Sequence, residues 1–187
     1  LQSDKYVFLT ANNNVSATTE ISLVEGGVSF SRLSGGDGVA FPVKLKPNHS
    51  YTAYANVSAT TTTATMNIRI SFYEADGTWI STWYQGNAVN SGMTLKPFTV
   101  PSNADMTLIV CAKNNTETGT APTITFSNIM LVEGVYTTSN APAYTPYKQL
   151  LTEINGVGDK TKNLLRIVGR TQQTGLGAYS NKTPRNF

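Results

Sequence analysis

The fold of this chain of 187 residues is decided by Thr123–Lys148, TITFSNIMLVEGVYTTSNAPAYTPYK. The first half of this stretch alternates hydroxyl residues with larger ones, which places Ile124, Phe126 and Asn128 on one side of a strand. The strand then continues into the apolar block 129–132. We therefore predict the last strand of a domain, followed by the segment through which the chain leaves it.

The second half of the stretch, after Glu133-Gly134, contains small residues and two prolines, Pro142 and Pro146. Prolines at this spacing favour an extended exit segment over a further packed element. We therefore divide the chain at the end of this segment. Residues 1–147 are predicted to form one module, and residues 148–187 a linker and a strand segment.

The composition favours an all-β protein that is exposed outside the cell or on a virion. Charged residues make up 13% of the chain, about half of the ~25% that is usual for soluble proteins. Residues 1–147 carry seven basic and nine acidic side chains, and residues 148–187 carry seven and two. The main body lacks the basic face that nucleic-acid binding requires, and no apolar run approaches the ~20 residues of a membrane span. We expect neither nucleic acid nor membrane as a partner.

Short apolar runs separated by turn signals recur along the whole main body, without a convincing amphipathic helix. This pattern predicts an all-β fold, an antiparallel jelly-roll β-sandwich with an extended C-terminal segment. The predicted strands and hairpins cover residues 6–9, 21–24, 28–33, 39–45, 51–57, 66–84, 93–100, 106–112 and 123–132.

The hairpin within residues 66–84 has a register that its turn predicts. A three-residue loop, Ala75-Asp76-Gly77, with a left-handed glycine places Phe72 opposite Ile80. A two-residue loop would place Phe72 opposite Ser81 and mix apolar and polar side chains on both faces. The first register keeps one face apolar and is therefore preferred.

The other face of this hairpin carries aromatic and polar side chains. Flat rings flanked by hydroxyls and a guanidinium can stack on the apolar face of a sugar while hydrogen-bonding its hydroxyls. We therefore predict a glycan-binding site formed by Trp79, Trp83, Tyr73 and Arg69. The alternative is that this face packs under a loop or another subunit, with Arg69 over Trp83. The predicted facing pairs are Tyr73 with Trp79, Ser71 with Ser81, and Arg69 with Trp83.

Residues suited to catalysis or transition-metal binding are not evident. His49 stands alone in a turn and is expected at the surface, whereas Cys111 lies in an apolar strand and is expected to be buried and inert. Glycoside hydrolysis needs two convergent carboxylates, but Glu74 and Asp76 belong to a tight turn. One histidine and one cysteine make no zinc constellation. We expect no enzyme activity and no catalytic residue.

Four segments resemble successive strands of carbohydrate-binding-module-like jelly rolls. Such modules are found in phage and prophage tail, baseplate and other minor structural proteins. The resemblance covers most of residues 1–170, and it is more specific for fold and virion context than for the ligand, since these modules diverge at the binding face. The segments are FPVKLKPNHSYT at 41–52, ISFYEADGTWIS at 70–81, SNIMLVEG at 127–134 and YTPY at 144–147.

The resemblance implies a non-enzymatic module on the outside of a phage or prophage virion that binds host cell-surface polysaccharide. Other virion proteins and further copies of the chain are the expected partners. The rival interpretation is a structural or decoration module that makes subunit contacts without binding glycan. Calcium ions are common in modules of this kind, so a structural calcium ion is a candidate cofactor, with ligands that the sequence does not identify.

The C-terminal segment is similar to the segment that normally begins such a module, ahead of a strand like residues 5–9. The similarity rests on GDKTKNLL at 158–165, GRT at 169–171 and PRNF at 184–187. In one interpretation the segment opens a second module. In the other, which we hypothesise, residues 163–187 complete a sandwich, either that of the same chain by permutation or that of a neighbouring subunit by strand donation.

Overall fold

The computed structural model describes residues 7–9 and 21–146 of the chain. Within these residues the chain forms ten β-strands and no helix. The strands are β1 Val7–Leu9, β2 Ser22–Val24, β3 Gly27–Ser31, β4 Gly38–Val43, β5 Ser50–Ala59, β6 Met66–Tyr73, β7 Trp79–Gln85, β8 Gly92–Thr99, β9 Met106–Lys113 and β10 Thr123–Glu133.

The strands form two sheets of five. Sheet A has the order β1-β4-β9-β6-β7, and sheet B has the order β2-β3-β10-β5-β8. Each pairing between neighbouring strands is antiparallel. The apolar residues of the two inner faces form one core, which is the arrangement of a sandwich. The prediction of an all-β, antiparallel jelly-roll β-sandwich is therefore confirmed.

The stretch that begins at Thr123 supplies the central strand of sheet B. Strand β10 pairs with β3 on one side and with β5 on the other. Ile124 and Phe126 point into the core, as their alternation with hydroxyl residues predicts. The aromatic ring of Phe126 stacks on that of Phe30, with 6.3 Å between their centroids. The inner face of this middle strand is removed from water on folding, and the burial of its apolar side chains stabilises the folded state.

The prediction that Asn128 shares the inner face with Ile124 and Phe126 is wrong. A β-bulge lies between Ser127 and Met130, and Asn128 has a positive φ of 51°. Asparagine tolerates this left-handed conformation better than most residues do. The extra residue reverses the alternation, so that Ile129 rather than Asn128 continues the core.

Residues 135–146, called the strap from here on, lie without strand or helix along the outer face of sheet B. The hydroxyl of Tyr54 donates to the backbone oxygen of Pro142 at 2.6 Å, and the backbone N–H of Tyr136 donates to Oγ1 of Thr52 at 3.0 Å. Tyr136, Ala141 and Tyr144 pack against an apolar cluster that includes Met130 and Val132. Residues 138–140 of the strap form a turn, and the strap covers the sheet rather than leading away from it as the predicted exit segment would.

The glycine at position 26 links the strap to the edge of sheet B. Gly26 lies in the turn between β2 and β3 with a positive φ of 62°, and a Cβ there would collide with the ring of Tyr144. The backbone oxygen of Gly26 also accepts from the N–H of Ile129 at 3.0 Å. The boundary predicted at residue 147 and the strand completion predicted for residues 163–187 lie outside the described residues and stay predictions.

Candidate functional site

The predicted glycan-binding side chains lie on the outer face of sheet A, at the end formed by β6 and the edge strand β7. The loop between these strands has the predicted geometry. Gly77 has a positive φ of 80°, and Glu74 and Thr78 are joined by a backbone hydrogen bond of 2.9 Å. Oδ1 of Asp76 accepts from the backbone N–H of Thr78 at 2.8 Å. This loop starts the ladder in the predicted register.

The first two predicted pairs of the ladder are confirmed. Phe72 lies opposite Ile80, and Tyr73 lies opposite Trp79. Phe72 and Ile80 both belong to the core side, so Tyr73 and Trp79 are on the outer face. The turn chemistry therefore determines which face of the hairpin carries the aromatic residues.

The two remaining predicted pairs, Ser71 with Ser81 and Arg69 with Trp83, are wrong. The ladder shifts between Ser71 and Phe72, so that Ser71 lies opposite Trp83 and Arg69 opposite Gln85. Two exposed residues of β7, Ser81 and Thr82, are left without partners in the ladder. Strand β7 is an edge strand, and an irregularity there breaks no second ladder. The shift is by two residues, which keeps Trp83 on the outer face but moves it one pair away from Arg69.

Exposure differs strongly among the four predicted side chains. Trp83 is 51% exposed, and Arg69 and Trp79 are partly buried. Tyr73 is only 5% exposed and packs against Leu108 and its neighbours on β9. Burial raises the pKa of the Tyr73 phenol. Trp83 is therefore the ring most available to a ligand.

A polar cluster lies beside Trp83 on the same face. Three side-chain N–H groups converge on Oδ1 of Asn114: Nδ2 of Asn67 at 3.2 Å, Nη2 of Arg69 at 3.3 Å and Nε2 of Gln85 at 2.8 Å. Nε of Arg69 also donates to Oδ1 of Asn67 at 3.1 Å. We call these four residues the amide cluster. Its amide groups hold the Arg69 guanidinium in one position next to the exposed ring of Trp83.

The sequence reasoning missed Gln85, Asn67 and Asn114. Gln85 follows Trp83 by two residues and therefore shares its face, which is a signal that the sequence contained. Asn114 follows β9, and its position beside Arg69 depends on the pairing of β9 with β6. That pairing joins segments far apart in the chain, so local patterns do not reveal it.

Glu74 and Asp76 lie in the loop of this hairpin, whereas Cys111 and His49 lie apart from this face. Cys111 is buried in the core, and burial raises the pKa of its thiol. His49 is at the surface, where Nδ1 lies 3.3 Å from Oε1 of Glu133. Among residues 7–9 and 21–146, no group of three or more His, Cys, Asp or Glu side chains is arranged to hold a metal ion. The same residues include no helix of the length and apolarity that a membrane span requires.

No protein-family model and no curated protein sequence matches the chain. Among solved structures, the chain is similar to the CBM22-1 and GH10 modules of Clostridium thermocellum endo-1,4-β-D-xylanase 10B, complexed with xylohexaose. The identity is 18% and the TM-score 0.52, over 75% of this chain but only 28% of that one. This likeness shows the fold, a jelly-roll β-sandwich like that of carbohydrate-binding modules.

Two further similar structures have TM-scores below 0.5. One is the enzymatically active domain of tailspike protein 4 of bacteriophage CBA120, with 15% identity and a TM-score of 0.46 over 69% of this chain and 19% of that chain. The other is a CBM4 structure, with 15% identity and a TM-score of 0.47 over 71% of this chain and 89% of that chain.

Proposed function

We propose that the chain is a non-enzymatic module that binds glycan through the outer face of sheet A at Trp83. The observation that carries this proposal is the exposure of that ring. A tryptophan that is 51% exposed at the surface of the sheet keeps a large amphipathic ring in water, and rings of this kind are enriched at interfaces. Val135, on the strap, is the other large hydrophobic residue exposed within residues 21–146.

The groups around Trp83 suit a sugar. An indole ring offers an apolar face to the C–H groups of a pyranose, and neighbouring polar groups bond its hydroxyls. Ser71 lies opposite Trp83, and the amide cluster begins with the next pair, Arg69 and Gln85. Trp79 extends the aromatic surface beyond the bulge. Tyr73 supports this surface from below, in place of the direct contact expected from the sequence.

The biological setting is proposed from the sequence resemblance. The four segments described above resemble modules of phage and prophage virion proteins, which supports a place on the outside of a virion and a host cell-surface polysaccharide as the ligand. Other virion proteins and further copies of the chain are the proposed partners. Residues 163–187 are the segment proposed to complete a sandwich. A structural calcium ion stays a candidate without named ligands.

A glycan array on the purified chain tests this proposal. We expect selective binding that Trp83→Ala abolishes and that Trp83→Phe retains in part, because phenylalanine keeps an aromatic face. Val135→Ala is the matched control, since it removes the other exposed apolar side chain from a different surface. Equal binding by the wild type and Trp83→Ala would move the site elsewhere.

The second candidate function is a structural or decoration module whose aromatic face is covered by subunit contacts. It is favoured by the same exposed ring of Trp83, because a half-exposed aromatic side chain is also a surface that a neighbouring subunit can cover. Measurement of the solvent exposure of Trp79 and Trp83 in the assembled particle separates the two functions. Protection of both rings by protein contacts would support the structural role and exclude glycan binding at this face.

A further inference from the structure

Arg69 differs from the other basic residues of sheet A in its partners. Nζ of Lys44 lies 3.0 Å from Oδ2 of Asp105, and Nζ of Lys113 lies 3.3 Å from Oε2 of Glu117. The guanidinium of Arg69 instead bonds two neutral amide oxygens, and no carboxylate of residues 21–146 lies within ion-pair distance of it. Its charge therefore has no ion-pair partner among residues 21–146.

This charge is also partly removed from water. Arg69 is partly buried, and burial lowers the pKa of its guanidinium. A charge in such a place costs free energy unless a counter-charge is present. A counter-charge supplied by a ligand would recover that cost, and in a partly dehydrated position it would be attracted more strongly than at the open surface.

The amide cluster determines which part of the guanidinium is available. Nε and Nη2 donate to Asn67 and Asn114, and these two bonds fix the plane of the group. Nη1 has no hydrogen-bond partner within residues 21–146 and is not among the completely buried polar atoms that lack one, so it is not completely buried. A guanidinium held in this way presents its remaining N–H groups in a fixed direction, which favours planar carboxylate and tetrahedral phosphate groups.

Trp83 and Arg69 are diagonal neighbours across β6 and β7, because each lies in one of two adjacent same-face pairs. Side chains in this relation are about 7–8 Å apart at the backbone and come closer when they are long. A pyranose stacked on the indole can therefore direct a substituent at its ring edge toward Nη1 of Arg69. Gln85, opposite Arg69, flanks the same position and holds its amide toward Asn114.

We propose that Arg69, Trp83 and Gln85 form a subsite for an acidic sugar unit, one whose carboxylate or phosphate pairs with the Arg69 guanidinium while its ring stacks on Trp83. This inference rests on the proposed glycan-binding function and names the chemical class of the ligand.

The test uses the full chain and three polymers of pyranose units: polygalacturonate, the same polymer fully methyl-esterified, and phosphomannan, whose mannose units carry phosphate. Titration calorimetry of the wild type is expected to show tighter binding to at least one of the two anionic polymers than to the methyl ester. Preference for polygalacturonate identifies a carboxylate ligand, and preference for phosphomannan a phosphate ligand. Added salt is expected to weaken the anionic complexes, since exposed charge pairs are screened.

The variants Arg69→Gln and Lys46→Gln form a matched pair, because each removes one positive charge and Lys46 lies in an exposed turn. Loss of a charge-assisted hydrogen bond is expected to weaken anionic binding about tenfold or more in Arg69→Gln, while Lys46→Gln stays close to the wild type. Arg69→Lys is expected to fall between them, since lysine keeps the charge without the planar fork. Thermal unfolding of each variant establishes that it is folded.

Two outcomes overturn the inference separately from the proposed function. If the methyl ester binds as tightly as both anionic polymers, or if Arg69→Gln and Lys46→Gln behave alike, the acidic ligand is excluded while glycan binding through Trp83 stands. If the wild type binds no polymer here and no glycan on the array, both proposals fail.

Discussion

The two outer faces of the sandwich carry apolar side chains and treat them differently. On sheet B, Met130 and Val132 are buried beneath the strap, and the Tyr54 hydroxyl is bonded to the strap's own backbone. On sheet A, Trp83 is left half-exposed beside a rigid polar cluster. Within residues 21–146, the strap covers apolar side chains of sheet B, whereas the end of sheet A formed by β6 and β7 keeps a ring in water, which is the asymmetry expected between a region that stabilises a fold and a region that meets a ligand.

The largest expected effect is on the free energy of unfolding, and it distinguishes Tyr73 from Trp83 on the same face. Tyr73→Ala is expected to lower the free energy of unfolding by about 3 kcal/mol, because it opens a cavity against Leu108. Trp83→Ala is expected to change it by less than about 0.5 kcal/mol, as is usual for exposed positions. Urea titrations of both variants measure this contrast. A stability loss in Trp83→Ala as large as that in Tyr73→Ala would mean that the exposed ring is a structural element.

The second prediction concerns the face beneath the strap. Met130→Ala is expected to cost about 2–3 kcal/mol, since Met130 is fully buried and truncation of a buried methionine leaves a cavity. The affinity of the folded variant for glycan is expected to match that of the wild type, because the two outer faces lie on opposite sides of the core. Denaturant titration and calorimetry on the same sample check the two halves. If the fully folded Met130→Ala variant binds glycan more weakly than the wild type, the two outer faces are not independent of each other.

A smaller effect is expected when the strap loses one hydrogen bond. Tyr54→Phe removes the 2.6 Å bond to Pro142 and is expected to cost about 1 kcal/mol at neutral pH. Faster proteolysis within residues 135–146 should accompany this loss. Unchanged stability and unchanged cleavage would show that the strap is held by its apolar contacts alone.

The same tyrosine gives a pH dependence. Burial, and to a lesser extent Tyr136, raises the pKa of Tyr54 to about 12, above the value near 10 of an unfolded tyrosine. The folded state therefore favours the protonated phenol, so this stabilisation is complete below pH 10 and declines as the pH rises through about 12. Stability measured from pH 9 to 12 should fall more steeply in the wild type than in Tyr54→Phe. Parallel curves would exclude a contribution from Tyr54.

The smallest effect is expected from deletion of Ser81 and Thr82. These residues are exposed and lie between the pairs Phe72–Ile80 and Ser71–Trp83, so a chain without them can keep both pairs. We expect a stability change below about 1 kcal/mol and retained glycan binding. Loss of binding with the fold intact would show that the bulge, rather than the ladder, presents Trp83.

The sequence predicted those parts of the site that depend on neighbouring residues. The loop around Gly77 determined the pairs of Tyr73 and Phe72 because turn geometry acts over a few residues. The bulge at Ser81 could not be predicted, since exposed hydroxyl residues on an edge strand pair or remain unpaired at little cost. Asn114 reaches Arg69 only through the pairing of β9 with β6, and such long-range pairings follow from the whole fold rather than from any segment.

The left-handed residue at Asn128 also has a consequence for comparing this chain with others. Before it, even-numbered side chains of β10 face the core, and after it odd-numbered ones do. In an alignment with a relative that lacks the extra residue, the inward-facing positions match on only one side of Asn128 unless a single gap is placed there. Loss of the Asn128 codon would leave a regular strand in which Ile129 follows Ser127 directly, so that Ile129 and Leu131 would still face the core. An alignment across this strand must preserve the inward or outward direction of each side chain rather than residue identity.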